Sequence, residues 1–127
     1  MRVYWEDTDG GGVVYHARYL NFFERARTEW LRSLGFEQDR LRSEQGVLFA
    51  VRKMTLDFVR PARFNQELLV SSRIIGNGRA SIDFAQQVAD ADDDHVYCRG
   101  TVNVACVDAT RLRPARIPGV ILQALMP

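Results

Sequence analysis

Residues Tyr4 to Arg32, YWEDTDGGGVVYHARYLNFFERARTEWLR, place a carboxylate-rich turn, three successive glycines and an amphipathic helix in one short span. From His16 onward the apolar positions Tyr19, Leu20, Phe22, Phe23, Ala26, Trp30, Leu31 and Leu34 recur at three-and-four spacing. That periodicity predicts a helix from about His16 to Leu34 with one wide buried face. Arg18, Asn21, Arg25, Thr28, Glu29 and Arg32 take the opposite face. Gly35 then stands where a left-handed cap stops a helix, because glycine enters that region without a side-chain penalty. The rest of the chain has to wrap this helix.

Upstream, Val3-Tyr4-Trp5 has strand composition, and Gly10, Gly11 and Gly12 lie between it and the helix. The order strand, glycine turn, helix start is a place for chemistry. The first N–H groups of a helix have no internal partner and sit at the positive end of its dipole, so they stabilise developing negative charge. Glycines let a substrate approach that backbone closely. Asp7 and Asp9 bring carboxylates to the same place, either for catalysis or to satisfy turn amides.

The remaining chain reads as a sheet. Phe36 to Gly46 is a polar connection anchored by Phe36 and Leu41, with room for a helical turn. In Val47 to Arg60, Leu48, Ala50, Met54, Leu56 and Phe58 alternate against Arg52, Thr55 and Asp57, a long half-buried strand ended by Pro61. Leu68 to Ile75 is a second strand, and Gly76-Asn77-Gly78 is expected to supply positive-φ residues for a hairpin into Ala80 to Val88. Val96 to Cys106 forms a last long strand after the charged turn Asp90 to His95, and Val120 to Leu125 a short terminal helix. One helix and about five antiparallel strands in a meander make an α+β domain.

At 127 residues the chain has room for a single core, and one domain over 1–127 is expected. A net charge of +1 argues against a general nucleic-acid footprint. No apolar run approaches the roughly 20 residues of a membrane span, and the first residues lack a signal-peptide plan, so the expected location is cytoplasmic. Cys98 and Cys106 fall eight residues apart on one strand. At roughly 26 Å they cannot pair there and read as reduced thiols. His16, His95, Cys98 and Cys106 share no zinc-type spacing, and DGGGVV does not match a dinucleotide glycine pattern, so neither metal nor cofactor is expected.

The stretch DTDGGGVVYHARYLNFFERARTEWLR resembles the signature of the 4-hydroxybenzoyl-CoA thioesterase family of hotdog proteins, and within it the acyl-CoA thioesterases associated with the Tol-Pal system. The similarity continues more weakly to the Arg113-Pro114…Ile117-Pro118 tail. The resemblance implies a hotdog fold, with two sheets paired into a dimer or a homotetramer and sites at the interface. It implies hydrolysis of an acyl-CoA thioester, with acyl carrier protein or Tol-Pal-linked proteins as further partners. It also implies Asp9 as nucleophile or general base, and the main-chain N–H at His16 as oxyanion donor with Gly12 and Tyr15 lining the pocket. The diphosphate and ribose phosphate of coenzyme A call for cations near the mouth, and Arg60 and Arg79 are the candidates by position. One departure stands at Asn65-Gln66-Glu67, where relatives usually carry an aspartate.

Other readings compete. A catalytic imidazole at His16 would suit a hotdog dehydratase or hydratase and make Asp9 dispensable. Glu24, on the helix, matches the position type used by a related hotdog subclass, although pairing with Arg27 or Thr28 is its simpler role. A module that binds acyl groups without turnover is disfavoured by Asp9, since an acyl site gains nothing from a buried carboxylate.

Overall fold

A computed structural model describes residues 1–9 and 11–125; Gly10 of the predicted glycine turn lies outside the described residues. The predicted helix is present as α1, Arg18–Ser33, with His16 and Ala17 in the turn that leads into it. Tyr19, Phe22, Phe23 and Leu31 are buried on its inner face, whereas Leu20 remains 38% exposed. Gly35 takes φ +93°, and the Phe36 N–H donates to the Leu31 carbonyl at 3.2 Å, closing the helix with a glycine-dependent cap. A short helix α2, Gln38–Arg40, runs into a π turn over Leu41–Gln45 that buries Leu41.

Four strands follow: β1 Val47–Phe58, β2 Leu68–Asn77, β3 Ser81–Asp90 and β4 Val96–Asp108. They form one antiparallel sheet in the order β1-β4-β3-β2. The α+β class is as expected, but the sheet has four strands, not five. Val3-Tyr4-Trp5 does not form the fifth. Its segment makes a single bridge, Arg2 to Glu67, and trades hydrogen bonds between Val3 and the Asn65 and Gln66 backbone before Trp5–Asp7 turns as a 3₁₀ helix. The Asp7 carboxylate forces that turn by accepting the Tyr4 N–H at 3.0 Å.

Nor is the sheet a simple meander. β2, β3 and β4 are sequential neighbours, but β1 crosses to the far side and pairs with β4. The β2–β3 reversal also differs from expectation. Gly76 sits at a register shift within β2, the Gly78 N–H donates to the Ser81 carbonyl at 2.9 Å, and Gly76, Asn77 and Gly78 are all absent from the positive-φ residues.

In β1 the simple alternation fails at a bulge between Val51 and Lys53. A bulge inserts one residue and so reverses which parity faces the core. Met54 and Leu56 pack inward on one side of it; on the other, Val47 and Phe49 do so in place of Leu48 and Ala50. The core divides into two clusters. One joins Tyr19, Phe22 and Phe23 to Val88 and Cys98, and the other joins Leu31 and Leu41 to Ile82, Val102, Val104 and the terminal helix α3, Gly119–Leu125, through Ile121. Cys98 and Cys106 are both free and buried on β4, and burial pushes the Cys98 thiol up to about 11.

Among the described residues two polar side chains are buried, Asp7 and Gln86, and Gln86, 3% exposed, lies between helix and sheet. Its amide donates to the Phe23 carbonyl at 3.0 Å and to Ser72 Oγ at 2.7 Å, and its oxygen accepts from Arg27 at 2.8 Å. A side chain so bonded carries no unsatisfied group into the core and pins α1 to β2 and β3.

Gly100 on β4 faces Leu56 of β1, where an added Cβ would lie 2.4 Å from the Thr55 carbonyl oxygen. Gly100→Ala should therefore destabilise the domain by about 1–3 kcal/mol, as overpacking does, measured by urea unfolding. Asp7→Ala should cost about 1–3 kcal/mol by stranding the Tyr4 N–H.

Candidate active site

The segment before α1 is a small antiparallel loop. The Tyr15 N–H donates to the Asp7 carbonyl at 2.8 Å, Thr8 bridges Val14, and the Asp9 N–H donates to the Val13 carbonyl at 3.0 Å. At its tip Gly12 takes φ +84°, a conformation that costs other residues strain. The loop is clamped to the segment after β1: the Val14 N–H donates to Ala62 O at 2.7 Å, and the Phe64 N–H to Gly12 O at 3.0 Å. The Tyr19 hydroxyl, buried under α1, accepts the Ala62 N–H at 3.2 Å and fixes the same segment to the helix. Burial raises the Tyr19 pKa, which keeps the phenol protonated in that role.

The two aspartates are placed differently. Asp7 is buried, with Oδ2 on the Tyr4 N–H and Oδ1 3.8 Å from Arg18 Nε, so it ties the turn to the first residue of α1. Asp9 is exposed. Its Oδ1 accepts the Gly11 N–H at 2.8 Å, and its other oxygen has no hydrogen-bond donor among the described residues. One oxygen is thus oriented while the other is open to a substrate or to water.

At the helix entrance, the Arg18 N–H donates to the Tyr15 carbonyl and the Tyr19 N–H to the His16 carbonyl. The N–H groups of His16 and Ala17 have no acceptor among the described residues. Two adjacent donors at the positive end of a helix dipole form a place for an oxyanion. The His16 imidazole is exposed, forms no hydrogen bond among the described residues, and is held by rings: Tyr15 with centroids 4.4 Å away and Phe58 edge-on at 6.3 Å. Val14, His16, Tyr19, Phe58, Arg60 and Pro61 line a groove of about 280 Å³ here.

Asp9, Gly12, Tyr15 and His16 therefore share one loop, and Arg60 joins His16 at the groove. Arg79 does not join them within one chain. It precedes Ser81, which pairs with Ala105, whereas Phe58 pairs with Cys98 seven residues along β4. That separation is roughly 23 Å along the sheet. Glu24 is exposed two turns into α1 and away from the loop. It favours the charge on Arg27, whose pKa burial lowers, but the guanidinium bonds Gln86 and forms no ion pair with Glu24.

Phe58 was legible only as the end of an alternating strand. Its neighbour Asp57 and the following Arg60-Pro61 place it at a strand end, where it is 53% exposed and serves as a groove wall. Among the described residues no three His, Cys, Asp or Glu side chains gather as a metal-ligand set. No helix among them is long and apolar enough to cross a membrane.

Known proteins resemble this chain over nearly its whole length. A model of the thioesterase-like superfamily matches residues 3–125. The chain is 44% identical over 118 residues to the acyl-CoA thioesterase YbgC of Haemophilus influenzae, spanning 93% of this chain and 85% of that protein. It is 43% identical over 122 residues to the acyl-CoA thioester hydrolase YbgC of Escherichia coli, spanning 96% and 90%. The crystal structure of a probable thioesterase from Bartonella henselae superposes with a TM-score of 0.87 at 38% identity, covering 93% of this chain and 95% of that one. The likeness runs from the aspartate loop through the sheet to the terminal helix, and the chain belongs to the thioesterase-like superfamily.

Proposed function

We propose that this chain hydrolyses acyl-CoA thioesters to a free acid and coenzyme A, acting as a single domain in the cytosol. The observation that carries the reading is the pairing of a half-free Asp9 carboxylate with two unengaged N–H groups at the entrance of α1. The substrate carbonyl oxygen points at the His16 and Ala17 N–H groups, which stabilise the negative charge that develops when its carbon is attacked. Asp9 either attacks that carbon, giving an anhydride that water then opens, or takes a proton from water as it attacks. In both cases a C–O bond forms, the C–S bond breaks, and the thiolate leaves with little need of acid help. Gly12 and Tyr15 line the acyl side, and Arg60 at the groove rim meets the phosphates of coenzyme A.

The free edge of the sheet supports a paired assembly. β1 is a twelve-residue edge strand with Val51 48% and Phe58 53% exposed. Such an edge invites pairing with a second copy. A dimer or homotetramer built on β1 would set the groove of one chain beside strands of another, and would bring a partner's Arg79 into consideration where its own chain cannot supply one. An acyl carrier protein in place of coenzyme A and Tol-Pal-linked proteins remain further partners of this reading.

Asp9→Asn should abolish thioester hydrolysis with the fold intact, read by a thiol-trapping dye and circular dichroism; near-normal turnover would refute the assignment. His16→Ala should lose less, because the backbone donor survives, whereas loss of an oxyanion donor costs about a hundred- to thousandfold. A His16→Ala defect as deep as that of Asp9→Asn would favour dehydratase-like chemistry. Val51→Glu should shift the sedimenting species to monomer and reduce turnover with it, and a fully active monomer would remove the interface site.

A further inference from the structure

A second cavity, of about 230 Å³, opens between the middle of α1 and the sheet. Its floor and back wall are apolar: Trp30, Leu31, Phe49, Phe84 and Val104. Trp30 stands edge-on to Phe84 at 5.3 Å, so the two rings form one aromatic wall. Glu24, Arg27 and Thr28 form a polar rim on the helix side. Arg27 is held to the buried Gln86 at 2.8 Å, which leaves the apolar floor below it open.

The cavity lines up with the candidate active site. Leu20, Glu24 and Thr28 are spaced four residues apart in α1, so they form one stripe that starts just beyond the turn holding His16. Leu20 in that stripe is 38% exposed, an apolar side chain left uncovered between groove and cavity. β1 runs beneath the same flank. Phe58 lines the groove, Leu56 and Met54 are partly buried between, and beyond the bulge Val51 and Phe49 line the cavity. Without the bulge, Phe49 and Val51 would face the opposite side of the sheet, so it keeps this apolar track continuous.

We infer that the cavity receives the distal end of an aliphatic acyl chain whose thioester lies at the His16 and Ala17 N–H groups. The inference rests on the thioesterase reading and adds its substrate class. Eight residues along the chain separate His16, in the entry turn, from Glu24 in α1, a span of about 12 Å if the turn rises roughly as a helix does. An extended chain gains a little over 1 Å per bond, so about ten carbons are needed to reach the cavity mouth. Shorter acyl groups end over Leu20 and Leu56. Each methylene buried beyond the mouth adds a few-fold to binding. Substrates of about ten carbons or more are therefore selected by length, with Thr28 and Trp30 as the residues that set it.

The test compares kcat/KM for acyl-CoAs of four to sixteen carbons in the wild-type protein, in Thr28→Phe, which fills the cavity, and in Trp30→Leu, which enlarges it. In the wild type kcat/KM should rise beyond about ten carbons. Thr28→Phe should lower the dodecanoyl-to-butanoyl ratio at least tenfold, and Trp30→Leu should carry the rise to longer chains. A parallel titration with non-hydrolysable S-alkyl-CoA thioethers, followed by calorimetry, reads the same length dependence without turnover. Absence of any hydrolysis would overturn the thioesterase reading alone. A flat length profile in the thioether titration, or a folded Thr28→Phe protein with an unchanged ratio, would overturn the tail site.

Discussion

Burial of the aromatic face of α1 is the constraint on which the rest depends. Tyr19, Phe22 and Phe23 are each almost fully removed from solvent against Val88 and Cys98 of the sheet. A fully buried side chain of this size is worth about 1.5–3 kcal/mol, so these three contribute a large part of what a domain of this length can afford to be stable by. The same contact sets the helix entrance. Tyr19 holds the Ala62 N–H with its hydroxyl, and Ala62 in turn accepts from Val14, so core packing and loop geometry share one residue.

From that anchor the aspartate loop inherits its shape. Asp7 is used up internally, on the Tyr4 N–H and beside Arg18, and the turn it builds leaves Asp9 on the exposed arm of the loop. A D-x-D pair thus divides its labour by burial: a buried carboxylate has to be matched by donors, whereas an exposed one stays free to react. The two unengaged N–H groups follow from the way the chain enters α1. Tyr15 and His16 spend their carbonyls on the first helical N–H groups, while no described residue accepts from His16 and Ala17.

Much of the site was legible before any coordinates. The helix, its glycine stop and the aspartate loop all lie within one contiguous span, where spacing translates directly into geometry, whereas spacing left the roles of Asp7 and Asp9 open and burial separates them. Arg60 was legible too, as the residue before a strand-ending proline, and it rims the groove beside His16. Arg79 was not comparably placed, because proximity to a turn says nothing about which end of the sheet that turn occupies. The role of Phe58 as an exposed wall and that of Gln86 as the buried clamp on Arg27 have no local signature, since each depends on an element distant in sequence.

The sequence by itself determined the local and periodic features: the amphipathic α1, its glycine stop, the alternation in β3 and β4, and the position of the aspartate loop. These depend on interactions within a few residues, and burial enforces their period. Only the tertiary structure decided the rest. Val3 to Trp5 has strand composition, but the Asp7 carboxylate draws it into a 3₁₀ turn. β1 was expected beside β2, yet it pairs with β4, because which edge a strand joins depends on how the sheet closes over the helix. The bulge at Val51 exchanges Leu48 and Ala50 for Val47 and Phe49 on the inner face. A one-residue slip costs little in composition but reverses every side chain beyond it, so only the packing of β1 against α1 and β4 can select it.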